Sequence, residues 1–91
     1  MDRELPAQLV KTIIEIAQSH PKVSGVHDIR TRQSGLMYVV QLHIEMDPAT
    51  TLFAAHAVSD EVEQMITSRY PNTDIIIHLD PEGLFERRLV L

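Results

Sequence analysis

The stretch LMYVVQLHIEMD, residues 36–47, alternates between apolar and polar side chains along most of its length. That pattern specifies a strand in a sheet with two unlike faces. Tyr38, Val40, Leu42, Ile44 and Met46 share one face, and Val39, Gln41, His43 and Glu45 share the other. One face of the sheet must therefore be covered, and the other carries a histidine and a glutamate.

The flanking segments supply the cover. Asp2 and Pro6 suit a helix start, and Leu9, Val10, Ile13, Ile14 and Ala17 follow at helical spacing. Pro21 disfavours helical geometry in the residue before it, so this helix should end near His20. KVSGVHDIRTRQ reads as a strand with Gly25 near its start, and Ser34–Gly35 is a turn. The two strands then form an antiparallel hairpin. Pro48 ends the second strand. Thr50 or Thr51 can cap a second helix running to about Tyr70, with an apolar stripe of Leu52, Ala55, Val58, Val62, Met65 and Ile66. YPNTD is a turn, and DIIIHLD, residues 74–80, is a third strand. No element is assigned to the tail after Pro81.

The predicted order is α-β-β-α-β, an α+β fold whose two helices cover one face of a three-stranded sheet. With 91 residues the chain is one small domain. A domain of this size buries a modest share of its surface and is often helped by a partner subunit or a metal. The uncovered sheet face therefore suggests a dimer contact or a ligand.

Composition narrows the ligand. The chain is 44% apolar and 23% charged, which argues against disorder. There is no Trp and little other aromatic content, so the core is aliphatic. Cysteine is absent, which excludes disulfides, thiolate metal sites and Cys nucleophiles. A net charge of −5 disfavours nucleic acid and anionic membrane surfaces and favours cations. No apolar run approaches the ~20 residues that span a bilayer. No signal peptide is expected, since Met1 leads directly into DRELP.

Five histidines stand in this background: His20, His27, His43, His56 and His78. In the third strand, Ile75, Ile77 and Leu79 share the face the helices need, so His78 and Asp80 point to the open side. His43 does the same. The facing of His27 is not set by the pattern, because Gly25 nearby invites twist or a bulge. If His27 joins the others, three strands offer three imidazoles and a carboxylate on one surface. Such donors suit zinc, and also iron, cobalt, nickel and cadmium. Residues two apart on a strand are ~6.5–7 Å apart, so both can reach a metal or two adjacent metals. His56 lies off the apolar stripe of its helix and could reach the site only from a helix edge or from a second subunit. His20 reads as a cation at the negative end of its helix. Asp28, Arg30 and Arg32 read as surface charges that pair across strands. Asp60, Glu61 and Glu63 read as the solvated face of the second helix.

The segments GVHDIRTRQSG, QLHIEMD, AAHAVSDEVEQ and DIIIHLDP resemble, in order and spacing, the cytoplasmic domain of cation diffusion facilitator transporters, in particular bacterial ferrous-iron and zinc efflux pumps. The resemblance covers about Leu5 to Pro81. It implies a metallochaperone-like fold that forms a homodimer and binds a two-ion zinc cluster between subunits. It implies metal ligands at His27, His43, His56, His78 and Asp80, with the helix histidine supplied by the partner subunit and Asp80 as a bridge between ions. It also implies a place in a divalent-cation–proton antiporter of the inner (plasma) membrane, as a regulatory domain attached to its own transmembrane domain. Metal binding would tighten the dimer and favour efflux. The membrane helices and their transport-site carboxylates are not in this sequence, so the chain is not expected to transport by itself. Glu82 stands where some relatives carry a cysteine.

Three rival readings stand beside this one. A free-standing metal chaperone or buffer would share the ligands. A two-metal hydrolase would need a substrate pocket, a phosphate-binding loop or a general base, and the sequence supplies none clearly. A ferredoxin-like dimerisation module would use no ligand. The chain is accordingly expected to be a non-enzyme with no nucleic-acid partner and no small-molecule substrate.

Overall fold

β2 (Met37–Met46) is the middle strand of a three-stranded sheet ordered β1-β2-β3, with β1 (Gly25–Ser34) antiparallel to it on one side and β3 (Thr73–Pro81) parallel to it on the other. The structure is a computed structural model and describes residues 3–83. Helix α1 (Ala7–Gln18) precedes the hairpin, and α2 (Leu52–Arg69) forms the crossover that makes β2 and β3 parallel. The observed order is the predicted α-β-β-α-β, with a mixed sheet.

Local chemistry accounts for the boundaries. Pro6 stands at the N-cap of α1, where its missing N–H costs nothing, and Leu9 and Val10 donate back to its carbonyl. The Thr51 hydroxyl accepts from the Ala54 amide at 3.1 Å and so caps α2. Gly35 turns the hairpin at a φ of +60°, a left-handed value that glycine takes without strain.

The core lies between the helices and one sheet face. Val40, Leu42 and Ile44 of β2 are completely buried, and Ile13, Ala17, Val62 and Ile66 meet them from the helices. Ile75, Ile77 and Leu79 are register partners of Val40, Leu42 and Ile44, so β3 extends the same apolar surface. Ala55 and Val58 complete the buried stripe of α2, whereas Leu52, expected in that stripe, is 84% exposed. As the first residue of α2 it reaches only the rim of a shallow cleft bordered by Met46, Ala55 and Leu79. Asp2 and the tail from residue 84 onward lie outside the described residues.

Candidate metal centre

On the uncovered face the register lines up three histidines. His27 of β1 pairs with His43 of β2, and His43 pairs with His78 of β3. The rings stack along this row, with centroids 5.3 Å apart for His27 and His43 and 4.5 Å for His43 and His78. The next row is Gly25, Glu45 and Asp80.

His27 reaches this row because β1 contains a bulge. The ladder runs from His27 opposite His43 to Arg30 opposite Gln41, so Asp28 and Ile29 together oppose one residue of β2. Asp28 carries a φ of +49°, in the left-handed region that Asp tolerates better than most non-glycine residues. The extra residue reverses the phase of the strand. Gly25 and His27 lie opposite the open-face residues Glu45 and His43 before the bulge. Arg30 and Arg32 lie opposite Gln41 and Val39 on that same face after it. Strict alternation would have put His27 and Ile29 on one side together.

Asp80 is the electrostatic centre. Its Oδ2 lies 2.8 Å from His43 Nδ1 and 3.2 Å from His27 Nε2. Its side chain is 18% exposed, against 31% for His27 and 25% for His43, so all three are half-buried. His27, His43 and Asp80 each present a donor atom within 4.8 Å of the others. Two imidazole nitrogens and a carboxylate oxygen at that spacing are compatible with a divalent transition ion, whose ligands stand roughly 2.0–2.2 Å from the metal. A fourth position would be left for another ligand.

His78 adjoins the cluster without entering it. Its ring stacks on His43, and its Nε2 lies 3.0 Å from the Gln41 side-chain amide nitrogen. His56 is elsewhere. It sits on the exposed side of α2, 75% exposed, with Nε2 3.4 Å from Asp60 Oδ2 one turn on. The apolar side of α2 packs in the core on the covered face of the sheet. The helix is therefore in the layer opposite the histidine row.

Two further carboxylates adjoin the cluster. Glu45 Oε1 lies 3.4 Å from His27 Nδ1, and Asp28 Oδ2 lies 3.6 Å from His43 Nε2. Alternation puts Glu45 on the open face, and the register of β1 on β2 then sets it beside Gly25 and His27. Asp28 thus pairs across strands with His43, and it also contacts Arg30 along its own strand at 3.4 Å.

His20, just past the end of α1, is buried. It is 8% exposed, accepts the Lys22 amide hydrogen at Nδ1 (3.0 Å), and places Nε2 2.7 Å from Glu61 of α2. The expected solvated acidic face of α2 thus contains one residue that joins the helix to the loop after α1.

The family model for the cytoplasmic domain of cation efflux proteins matches residues 5–82. The cation-efflux pump FieF of Escherichia coli O1:K1 / APEC is 51% identical over 87 residues, which are 96% of this chain and 29% of that protein. The FieF sequence of E. coli O139:H28 (strain E24377A / ETEC) gives the same values. The chain thus spans under a third of the length of the curated relatives it matches. A solved chain of CzrB in a zinc form superposes with a TM-score of 0.83 at 30% identity, covering 92% of this chain and 97% of that one. The MamM CTD, at 24% identity and a TM-score of 0.77, covers 82% of this chain and 94% of its own and shares the fold. Among the described residues no helix is long and apolar enough to cross a membrane. With a family model spanning nearly the whole chain and a relative identical at half its positions, the chain belongs to the cytoplasmic-domain family of cation efflux proteins.

Proposed function

We propose that this chain is the metal-sensing, dimerising regulatory domain of a divalent-cation efflux transporter, joined in the full-length protein to a membrane domain in the inner (plasma) membrane. The observation that carries the reading is the convergence of His27, His43 and Asp80 donors within 4.8 Å on a sheet face that neither helix covers. Imidazole and carboxylate donors suit zinc, the ion proposed here, and also cadmium, iron, cobalt and nickel.

The chain's own residues perform distinct tasks. His27 and His43 offer ring nitrogens, and Asp80 offers the carboxylate they share. His78, stacked on His43, extends the donor row toward the sheet edge. His56 faces away from the sheet within one chain, so it joins the site only across a homodimer, as the partner subunit's His56. A bound cation would offset the negative charge that Asp80, Glu45 and Asp28 gather on this face. It would thereby tie α2 of one subunit to the sheet of the other and bias the attached membrane helices. Nothing in this scheme requires substrate turnover, and the FieF relatives are pumps for cations.

Calorimetric titration with zinc at neutral pH, followed by sedimentation of the free and loaded chain, tests the proposal. Saturable binding with a tighter dimer is expected. Absence of binding at neutral pH would overturn it.

A further inference from the structure

Resting on that metal-site reading, we propose that Glu45 is a positioning residue that turns the correct nitrogen of His27 toward the metal, and that Gly25 makes the room for it. Glu45 is the register partner of Gly25 on one side and of Asp80 on the other. Its carboxylate folds back over Gly25, where an added Cβ would come within 3.1 Å of Oε2. From there Oε1 reaches to 3.4 Å from His27 Nδ1, while His27 Nε2 lies 3.2 Å from Asp80 Oδ2.

The imidazole thus has a carboxylate near each of its nitrogens. A neutral ring has one N–H proton, and the two carboxylates compete for it. Asp80 also lies 2.8 Å from His43 Nδ1 and serves that imidazole as well as His27, whereas Glu45 faces His27 Nδ1. Glu45 draws the proton to Nδ1 and leaves the Nε2 lone pair facing Asp80 and His43. Histidines that bind metals commonly donate their other N–H to a carboxylate in this way, which fixes tautomer and ring orientation. Glu45 is not itself among the donors that converge within 4.8 Å, and its contact is at the far end of the His27 ring. The tight approach at Gly25 is to the tip of a flexible side chain, so a methyl group there makes the carboxylate give by a few tenths of an ångström and leaves the backbone in place.

The test has two readouts on the parent chain and on Glu45→Ala, Glu45→Gln and Gly25→Ala. The first is the His27 tautomer in the metal-free chain at mildly alkaline pH, read from nitrogen-15 shifts of the ring. The Nδ1–H form should predominate in the parent, fall in Glu45→Ala and Gly25→Ala, and recover in Glu45→Gln, whose amide oxygen still accepts. The second is zinc affinity by chelator competition, which should drop roughly 10–100-fold in the Ala variants with the number of bound ions unchanged. An unchanged tautomer in Glu45→Ala overturns the proposal. So does the loss of one bound ion per chain, which would make Glu45 a ligand. If the parent binds no zinc, the functional reading above fails, and the tautomer comparison still decides the role of Glu45. Should Gly25→Ala not fold, Glu45→Ala decides alone.

Discussion

His27 and His43 face each other directly across the β1–β2 ladder, and they do so only because Asp28 inserts one residue of left-handed backbone immediately after His27. The stack of their rings and the shared Asp80 oxygen both depend on that register.

Asp28→Gly should therefore keep the bulge, and Asp28→Val should strain it. A β-branched residue at a φ of +49° costs about 1–3 kcal/mol, while glycine adopts it freely. Urea denaturation monitored by circular dichroism should place the Val variant clearly below the Gly variant. Both lose the Asp28 carboxylate near His43, so the difference between them isolates the backbone.

Asp80→Ala should be the most damaging single substitution for metal binding. It removes the oxygen that both His27 and His43 approach. The loss of zinc affinity should exceed the roughly 10–100-fold that removing an outer partner of a ligand costs. Titration calorimetry measures it, and a thermal scan in chelator should show the fold retained.

His56→Ala should leave the isolated fold untouched and still weaken the response to metal. The side chain is 75% exposed and contacts Asp60 within its own helix, so the apo melting temperature should be unchanged. Saturating zinc at 100 times its dissociation constant stabilises a binding-competent chain by about 2.7 kcal/mol. That increment, read as a thermal shift at fixed zinc, should shrink in the variant. Equal shifts for both proteins would remove His56 from the site.

His20→Ala should destabilise the domain without altering zinc affinity. It deprives the Lys22 amide of its acceptor, breaks the link to Glu61 and empties a buried position. The expected cost is about 1–3 kcal/mol, measured by denaturant unfolding. A change in zinc affinity at equal folded fraction would contradict the separation of this contact from the histidine row.

Acidification should weaken metal binding. Protons compete with the ion for the same imidazole nitrogens, so as pH falls affinity should drop and more protons should be released per bound ion. Titrations in buffers of different ionisation enthalpy check both quantities.

Much of the fold was legible because its signals are local. Alternation in β2 set which of its residues are buried, and Val40, Leu42 and Ile44 are wholly so. The same period placed His43, His78 and Asp80 together on the far face. Pro6, Thr51 and Gly35 marked boundaries through their own backbone chemistry. What remained open turned on residues distant in sequence. The period of β1 could not orient His27, since a single residue at Asp28 inverts every side chain before it relative to those after it. Glu61 looked like one more solvated acid on α2 until the fold set it 2.7 Å from His20, 41 residues earlier. Leu52 fitted the helical stripe, yet the helix begins where the sheet offers it only a rim. The sequence by itself determined the elements and their faces, because hydrophobic period acts over a few residues. Only the tertiary structure decided the register of β1 on β2 and the meeting of Glu45 with His27 over Gly25. Those depend on where one strand lies along another, which the bulge fixes to within a single residue.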